Sequence, residues 1–228
     1  MRSVFVENPI QENNCISLKT KDYHHLVNVI RLKTGERVNL FNREQTVFTT
    51  EVATISKKEI VFSIIESFQA KSSLIGITVA FGKLKKEAFD LSVKQLVEIG
   101  IKEILIFESE YSQNYSLKME RLDKIIISAM EQSNNYIFPQ IRECKFIDML
   151  KSNKNIIYFS SNPKNHQKFD TFYPDSLVII GPEGGLSLKE ESELINGGAN
   201  THHLPTKIMR AQTAVSFCSG FVLGLLER

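Results

Sequence analysis

The sequence has little that would indicate a disulfide-bonded, metal-binding or membrane-spanning protein. Its 228 residues include three cysteines, which lie far apart and form no Cys-x-x-Cys pair, so neither a disulfide framework nor a zinc site is indicated. The adjacent His202 and His203 would point to opposite faces of a strand, and no third ligand has recognisable spacing. No apolar run approaches the roughly 20 residues that cross a bilayer, and the first residues lack the apolar segment of a signal peptide. We therefore predict a cytoplasmic protein with no metal and no membrane partner.

A strong excess of charge of either sign is also lacking. The formal net charge is +2, which neither requires nor excludes a nucleic-acid partner. The distribution of charge along the chain is more informative. Positions 19–43 contain six cations and only two anions, and three further lysines cluster at positions 83–86. These clusters form either a solvated basic face or a phosphate-contacting surface. The candidate RNA contacts are Lys19, His25, Arg31, Lys33, Lys83 and Lys85.

The nucleotide-binding fingerprints of two large enzyme classes are missing. The sequence contains no G-x-x-x-x-G-K-[ST] phosphate loop, and no strand is followed by G-x-G-x-x-G. A nicotinamide-dependent oxidoreductase is therefore disfavoured.

Residues 1–72 show no alternation of strands and helices. Short strands are predicted at 3–6, 38–41, 46–54 and 59–65, with one helix over 22–31. Several short strands around little helix indicate a small barrel or a curved sheet. The polar segment 69–73 then marks a change of pattern, so we predict one domain over 1–72 and a second over 73–228.

Strands and helices alternate in the second domain. The predicted strands cover 75–81, 103–107, 140–144, 156–160, 177–180 and 201–204. The predicted helices begin at positions 87, 117, 187 and 208 and end at positions 99, 133, 196 and 226. This order predicts an α/β fold with a mostly parallel sheet covered on both faces.

Two loops near the C-terminus follow strands and carry unusual residues. The first is Gly181-Pro182-Glu183-Gly184-Gly185, which precedes a predicted capping box formed by Ser187 and Glu190. The second contains Lys207 and Arg210 at the predicted start of the last helix, where the helix dipole disfavours cations. Both loops leave the carboxyl ends of strands, which is where open α/β sheets bind ligands.

The segments GPEGGLS and LPTKIMRAQTA resemble the paired C-terminal motifs of the RsmE family of 16S ribosomal RNA uracil-N3 methyltransferases, members of the SPOUT superfamily. Residues 83–109 and 23–41 resemble the same family, so the resemblance covers essentially the whole chain. It implies a PUA-like RNA-binding β-barrel followed by an α/β trefoil-knot domain that binds S-adenosylmethionine. It also implies a homodimer, with 16S rRNA of the 30S subunit as the partner.

The resemblance implies roles for particular residues. Arg210 would stabilise charge on the uracil or anchor a phosphate, and Glu183 would either act as a base or hold a loop amide. The implied cofactor-binding residues are Phe159, Ser160, Ile180, Gly181, Glu183, Gly184, Gly185, Leu204, Ile208, Met209, Arg210 and Thr213.

The sequence departs from the family pattern at three places. Asn42-Arg43-Glu44 replaces an Asp-Gly turn, and cations expected after Glu110 and Ser133 are missing, where Tyr111 or Tyr136 would substitute by stacking on bases. Two alternatives to the family reaction therefore stay open. One is methylation of another RNA or of ribose O2′, and the other is a non-catalytic RNA-binding or ribosome-assembly protein.

Overall fold

The computed structural model forms two compact units. One comprises residues 1–72 with 127–138, and the other comprises 73–126 with 139–228. The structure describes residues 1–7, 10–12 (backbone alone), 14–19, 26–27, 31–71, 76–151, 155–162, 173–204 and 206–226. The predicted RNA contact His25 and most of the predicted helix over 22–31 lie outside these ranges.

The first unit contains a six-stranded sheet in the order β1-β4-β5-β6-β3-β2. All neighbouring strands are antiparallel except β1 and β4, which are parallel. The four strands predicted here are confirmed. Two further strands, β2 and β3, were not predicted; in β3 the only alternating apolar residues are Ile16 and Leu18, which are too few to show a period. The strands are β1 (Arg2–Phe5), β2 (Ile10–Glu12), β3 (Cys15–Lys19), β4 (Arg37–Phe41), β5 (Thr46–Ile55) and β6 (Glu59–Gln69).

One hydrophobic cluster fills this unit. It takes alternate residues from most of the strands, among them Val4, Ile16, Leu40 and Phe62, as expected for a sheet that curves around its own core. Register shifts in β5 after Thr49 bend the strand. The turn between β4 and β5 is closed by the Asn42 side chain, whose Oδ1 accepts a hydrogen bond from the Thr46 amide at 3.0 Å.

Residues 127–138 complete the first unit although they lie far along the chain. Ser3 Oγ donates to Asn134 Oδ1 at 2.6 Å, and the Asn39 amide nitrogen donates to the Tyr136 hydroxyl at 2.8 Å. The rings of Phe5 and Phe138 meet edge to face with centroids 5.8 Å apart. Tyr136, which was predicted as a candidate for base stacking, is therefore bonded within this unit.

The second unit is a six-stranded, fully parallel sheet with helices. Its strand order is β12-β10-β11-β7-β8-β9, which confirms the predicted α/β class. Every strand predicted for this region is present. The strands are β7 (Thr78–Gly82), β8 (Glu103–Glu108), β9 (Gln140–Lys145), β10 (Ile156–Phe159), β11 (Leu177–Ile180) and β12 (Asn200–His202).

The four predicted helices are present, together with a short one that was missed. Ser187 caps its helix through the predicted capping box with Glu190, and Gly100 ends another in the left-handed conformation at φ 90°. None of the described helices combines the length and apolar character that crossing a membrane requires. The helices are α1 (Lys86–Ile99), α2 (Met119–Ser133), α3 (Phe146–Leu150), α4 (Leu188–Asn196) and α5 (Ala211–Leu226).

The last helix begins later than predicted. α5 starts at Ala211 rather than Ile208, so Lys207 and Arg210 belong to the segment that leads into the helix. Lys207 therefore lies outside the helix, where the unfavourable interaction between its charge and the helix dipole is weaker than the prediction implied.

Candidate functional site

A cleft of about 120 Å³ opens at the carboxyl ends of β10, β11 and β12. This edge of a parallel sheet is where the sequence predicted a ligand site. The walls are mostly apolar and carry a few polar groups, as ligand pockets generally do. Six predicted cofactor-binding residues line it: Phe159, Ser160, Ile180, Leu204, Ile208 and Met209.

A network of hydrogen bonds holds the cleft wall at the end of β10. Glu191 Oε1, in the first turn of α4, accepts from the Ser160 hydroxyl at 2.8 Å and from the Tyr158 hydroxyl at 2.7 Å. The Ser160 amide donates to the His202 carbonyl at 2.8 Å, which ties β10 to β12. Burial, followed by the hydrogen bond to Glu191, raises the pKa of Tyr158, so the phenol stays protonated. Sequence reasoning missed Glu191, since no motif includes it.

The glycine turn after β11 is packed so closely that larger residues do not fit. A Cβ atom on Gly184 would lie 2.8 Å from Tyr111 Cβ, and Gly185 has a φ of +74°, a conformation that favours glycine. A Cβ on Gly82 at the end of β7 would lie 2.5 Å from Pro182 Cδ. The glycines of this turn are therefore required by backbone packing, and Gly181, Gly184 and Gly185 do not line the cleft.

Glu183 holds a backbone amide. Its Oε1 accepts from the Lys85 amide at 2.8 Å, and Lys85 is the N-cap residue of α1. A carboxylate at a helix N-terminus is stabilised by the helix dipole. The contact matches the loop-amide role, one of the two roles that the sequence left open for Glu183.

Arg210 and Thr213 lie at the start of α5 and are exposed to solvent. Neither lines the cleft, although their neighbours Lys207, Ile208 and Met209 do. Cys218 also lines it, and burial raises the pKa of its thiol to about 12. The thiol is therefore neutral near pH 7 and serves as an apolar wall rather than a nucleophile.

Lys83 is buried, which corrects its predicted contact with RNA. Its side chain is 2% exposed, and Nζ lies 2.7 Å from Glu143 Oε1 and 2.9 Å from Glu108 Oε1. Nζ also donates to the Tyr115 carbonyl at 2.9 Å. Burial by itself would lower the pKa of Lys83, but the hydrogen bonds to Glu143 and Glu108 outweigh it and raise this pKa. The ammonium is not available to a phosphate.

The other candidate RNA contacts that the structure describes are solvent-exposed. Lys19 Nζ lies 3.3 Å from Glu59 Oε1, an exposed pair that screens little of the lysine's charge. Arg31, Lys33 and Lys85 are exposed as well. Their role in RNA binding stays a prediction. In the described part of the chain, no three His, Cys, Asp or Glu side chains are grouped so that they could hold a metal.

The cleft lies within a recognisable family domain, because residues 70–223 match the RNA methyltransferase domain family. The chain belongs to this family. Residues 18–65 match a second family, the RNA methyltransferase PUA domain, which identifies the sheet of the first unit as a PUA domain. An RNA methyltransferase with an N-terminal PUA domain and an α/β domain is what the sequence motifs implied.

Relatives of this RNA methyltransferase match along nearly all of its length. It is 33% identical to ribosomal RNA small subunit methyltransferase E 2 of Borreliella burgdorferi over 239 residues, which cover 98% of this chain and 97% of that protein. Identity to ribosomal RNA small subunit methyltransferase E of Rickettsia conorii is 28% over 221 residues, covering 92% and 90% of the two chains.

Solved structures share the fold. Ribosomal RNA small subunit methyltransferase E of Neisseria gonorrhoeae, bound to S-adenosylmethionine, superposes with a TM-score of 0.83 at 24% identity and covers 99% of this chain and 98% of that one. A probable rRNA methyltransferase of Porphyromonas gingivalis gives a TM-score of 0.82 at 24% identity with full coverage of both chains. The fold of this chain is therefore a known one.

Proposed function

We propose that this RNA methyltransferase transfers the methyl group of S-adenosylmethionine to N3 of a uridine in 16S rRNA of the small ribosomal subunit. The observation that carries the proposal is the 33% identity, over 98% of the chain, to a protein named ribosomal RNA small subunit methyltransferase E 2. The structural relative from Neisseria gonorrhoeae, which holds S-adenosylmethionine, supports the choice of cofactor.

The lining of the cleft fits this cofactor. Ile180, Leu204 and Met209 offer apolar walls for an adenine ring. At the end of β10, Ser160 is held in place by Glu191, so its backbone groups are ordered for contacts with the methionine or ribose part. The bound cofactor supplies a sulfonium-activated methyl group.

The N3 proton of uracil must be removed during the reaction, because only the deprotonated nitrogen has a lone pair that can attack the methyl carbon. As N3 forms its bond to the methyl carbon, the carbon–sulfur bond breaks and the N3 proton passes to solvent or a base. The Glu183 carboxylate already accepts a hydrogen bond from the Lys85 backbone amide. We assign to Arg210, exposed beside the cleft, the stabilisation of negative charge on the uracil or the anchoring of a phosphate.

The same proposal includes a homodimer through the second unit, a knotted chain path and a cytoplasmic location. Support for the dimer comes from the outer face of α5, where Phe217 and Phe221 are 46% and 37% exposed. Gly220 and Gly224 lie beside them and leave open space where a Cβ would be. Close approach of a second helix at small residues is a common way of packing. Phe221 also contacts Phe159 of the cleft wall, with ring centroids 6.3 Å apart, which would couple the dimer face to the cofactor site.

The dimer is tested by light scattering on Phe217→Glu, with Ile65→Glu as control. Ile65 is an exposed residue of the first unit, so its charge variant should leave the mass unchanged. A wild-type protein that is monomeric at micromolar concentration would refute the dimer. We expect Phe217→Glu to halve the mass.

The reaction is tested by transfer of labelled methyl to 30S subunits that lack the modification, beside naked 16S rRNA and transfer RNA, followed by nucleoside analysis. We expect 3-methyluridine on 16S rRNA. Ribose-methylated product would overturn the base assignment, and cofactor binding without transfer to any RNA would favour the non-catalytic alternative. Arg210→Met should lower kcat by about 10²-fold, with Lys189→Met, an exposed change on α4, as the control.

A further inference from the structure

A second, larger cavity lies in the second unit, outside the cofactor cleft. Its volume is about 410 Å³, within the range of small-molecule and nucleotide sites. It is formed by the start of α1, the segment 113–118 and the first half of α2. Its deepest walls include Phe89 and Leu122, each 3% exposed. The cavity therefore has an apolar interior that could take the face of a flat ring.

The entrance to this cavity is basic. Lys85, Lys86 and Lys118 line it and are exposed, and none of the three forms an ion pair with a described residue. The guanidinium of Arg121, which also lines the cavity, pairs with Asp90. The lining residues thus include four cations, and the carboxylates near them are Asp90, which pairs with Arg121, and Glu183, which accepts from the Lys85 amide. Such an opening attracts phosphate groups.

An ordered aromatic side chain stands between the apolar and the basic part. The Tyr115 hydroxyl donates to the Leu84 carbonyl at 2.9 Å, and its ring meets Phe89 edge to face with centroids 6.3 Å apart. Both contacts hold the ring in one orientation. Preorganised aromatic rings beside cations are the usual means of binding unpaired RNA bases.

The glycine turn links a residue of the cavity to a residue of the cofactor cleft. Lys85 at its entrance donates its amide to Glu183 of that turn, while Ile180, three residues earlier, lines the cleft. The two sites are therefore joined through one turn of the chain, as binding of nucleotides from one RNA strand would require.

We propose that this cavity binds one nucleotide of the RNA substrate that flanks the target uridine, with the base in the apolar interior and its phosphate on the lysines. The inference rests on the proposed function, because it assumes an RNA substrate at the cleft. It would also supply RNA contacts in place of the cations that are missing near Tyr111 and Asn134.

The first test is the double variant Lys86→Gln/Lys118→Gln, with Lys94→Gln/Lys124→Gln as the matched control. The control lysines are exposed on the same two helices and do not line the cavity. We expect the test variant to raise KM for 30S subunits about tenfold and leave cofactor affinity and kcat unchanged. For a single-stranded RNA, the magnitude of the slope of log K against log salt should decrease by about 0.7, which corresponds to one lost phosphate contact. Equal KM values and equal slopes for the two variants would overturn the inference.

The second test uses no catalysis. A uridine-rich 12-mer carrying 4-thiouridine is irradiated with the wild-type protein, and the adducts are mapped by mass spectrometry. Adducts within 113–125 are expected, and their confinement to other segments would overturn the inference. If the wild type forms these adducts but transfers no methyl group, nucleotide binding in the cavity is supported and the proposed function is refuted. If the wild type methylates 16S rRNA without adducts within 113–125, the proposed function is supported and nucleotide binding in the cavity is refuted. Adducts that an acidic peptide competes away better than RNA does would also overturn the nucleotide assignment.

Discussion

Lys83 is a buried cation balanced by two carboxylates that reach it from the protein surface. Its side chain is 2% exposed, whereas those of Glu108 and Glu143 are 70% and 46% exposed. Removing the lysine leaves carboxylates that water can solvate, but removing both carboxylates leaves a buried ammonium with only the Tyr115 carbonyl. The two changes are therefore unequal in cost.

We expect Glu108→Ala/Glu143→Ala to lower the free energy of unfolding more than Lys83→Met does. Urea unfolding followed by circular dichroism measures both. A larger loss for Lys83→Met would show that the lysine stabilises the fold by something other than this charge balance.

The same cluster predicts a pH dependence. The hydrogen bond and attraction from Lys83 lower the pKa of Glu108 below 4.5, so the stability that this carboxylate contributes is present above about pH 4.5 and is lost as pH falls through the lowered value. The raised pKa of Lys83 means that its contribution is present below pH 10.5 and is lost as pH rises through the folded-state value. The stability difference between wild type and Lys83→Met should therefore shrink below pH 4.5. A difference that stays constant down to pH 3 would contradict this.

Glu191 is a positioning residue for the cofactor cleft. Glu191→Ala removes the acceptor of two hydroxyls, one of them on Tyr158, which is 3% exposed. Loss of this acceptor for a buried hydroxyl costs about 1–3 kcal/mol, and a Ser160 side chain without its bond to Glu191 should weaken cofactor binding several-fold. Glu191→Gln keeps an acceptor and should restore most of the stability and most of the cofactor affinity. Thermal unfolding measures the stability, and calorimetry measures the affinity. Glu193→Ala on the same helix is the control. Unchanged cofactor affinity in Glu191→Ala would leave the residue a purely structural role.

At the scale of elements, β7 approaches the glycine turn closely. Gly82→Ala places a Cβ 2.5 Å from Pro182, and overpacking of this kind costs about 1–3 kcal/mol. Urea unfolding should show this loss relative to wild type. A neutral Gly82→Ala would mean that Pro182 shifts freely.

The elements of the second unit were predictable because their local signals agree with one another. Periodic apolar stripes, the Ser187 capping box and the Gly100 stop all indicate the same helices. α3 (Phe146–Leu150) was missed because five residues are too few for a helical period.

Site residues were predictable where a motif carries them and not where only the tertiary structure joins them. The loops around Ile180 and Leu204 lie at the cleft as expected. Glu191 and the cavity beside Tyr115 could not be predicted, because the partners of each are more than 25 residues apart in the chain. The burial of Lys83 was likewise hidden, since a lysine in a basic run is normally exposed.

At the scale of the whole molecule, the two units are not consecutive pieces of sequence. A cut at residue 72 separates β1 and β4 from Tyr136 and Phe138, which pack on Phe41 with centroids 5.4 and 6.4 Å apart. A fragment of residues 1–72 should therefore unfold at a lower temperature than the same fragment joined through a Gly-Ser linker to residues 127–138. Thermal unfolding compares them, with a linked 127–138 segment carrying Tyr136→Ser and Phe138→Ser as control. Equal midpoints for all three proteins would show that 1–72 is complete by itself.

This interleaving of the units has a consequence during translation. The ribosome delivers residue 72 well before residue 138, and at roughly 5–20 residues per second the gap is about 3–13 s. Throughout that interval the nascent PUA sheet displays Phe5 and Phe41 without the aromatic rings that later cover them. The nascent chain therefore exposes these apolar rings while its second unit is still incomplete, and a ribosome-associated chaperone would have apolar surface to bind during this interval.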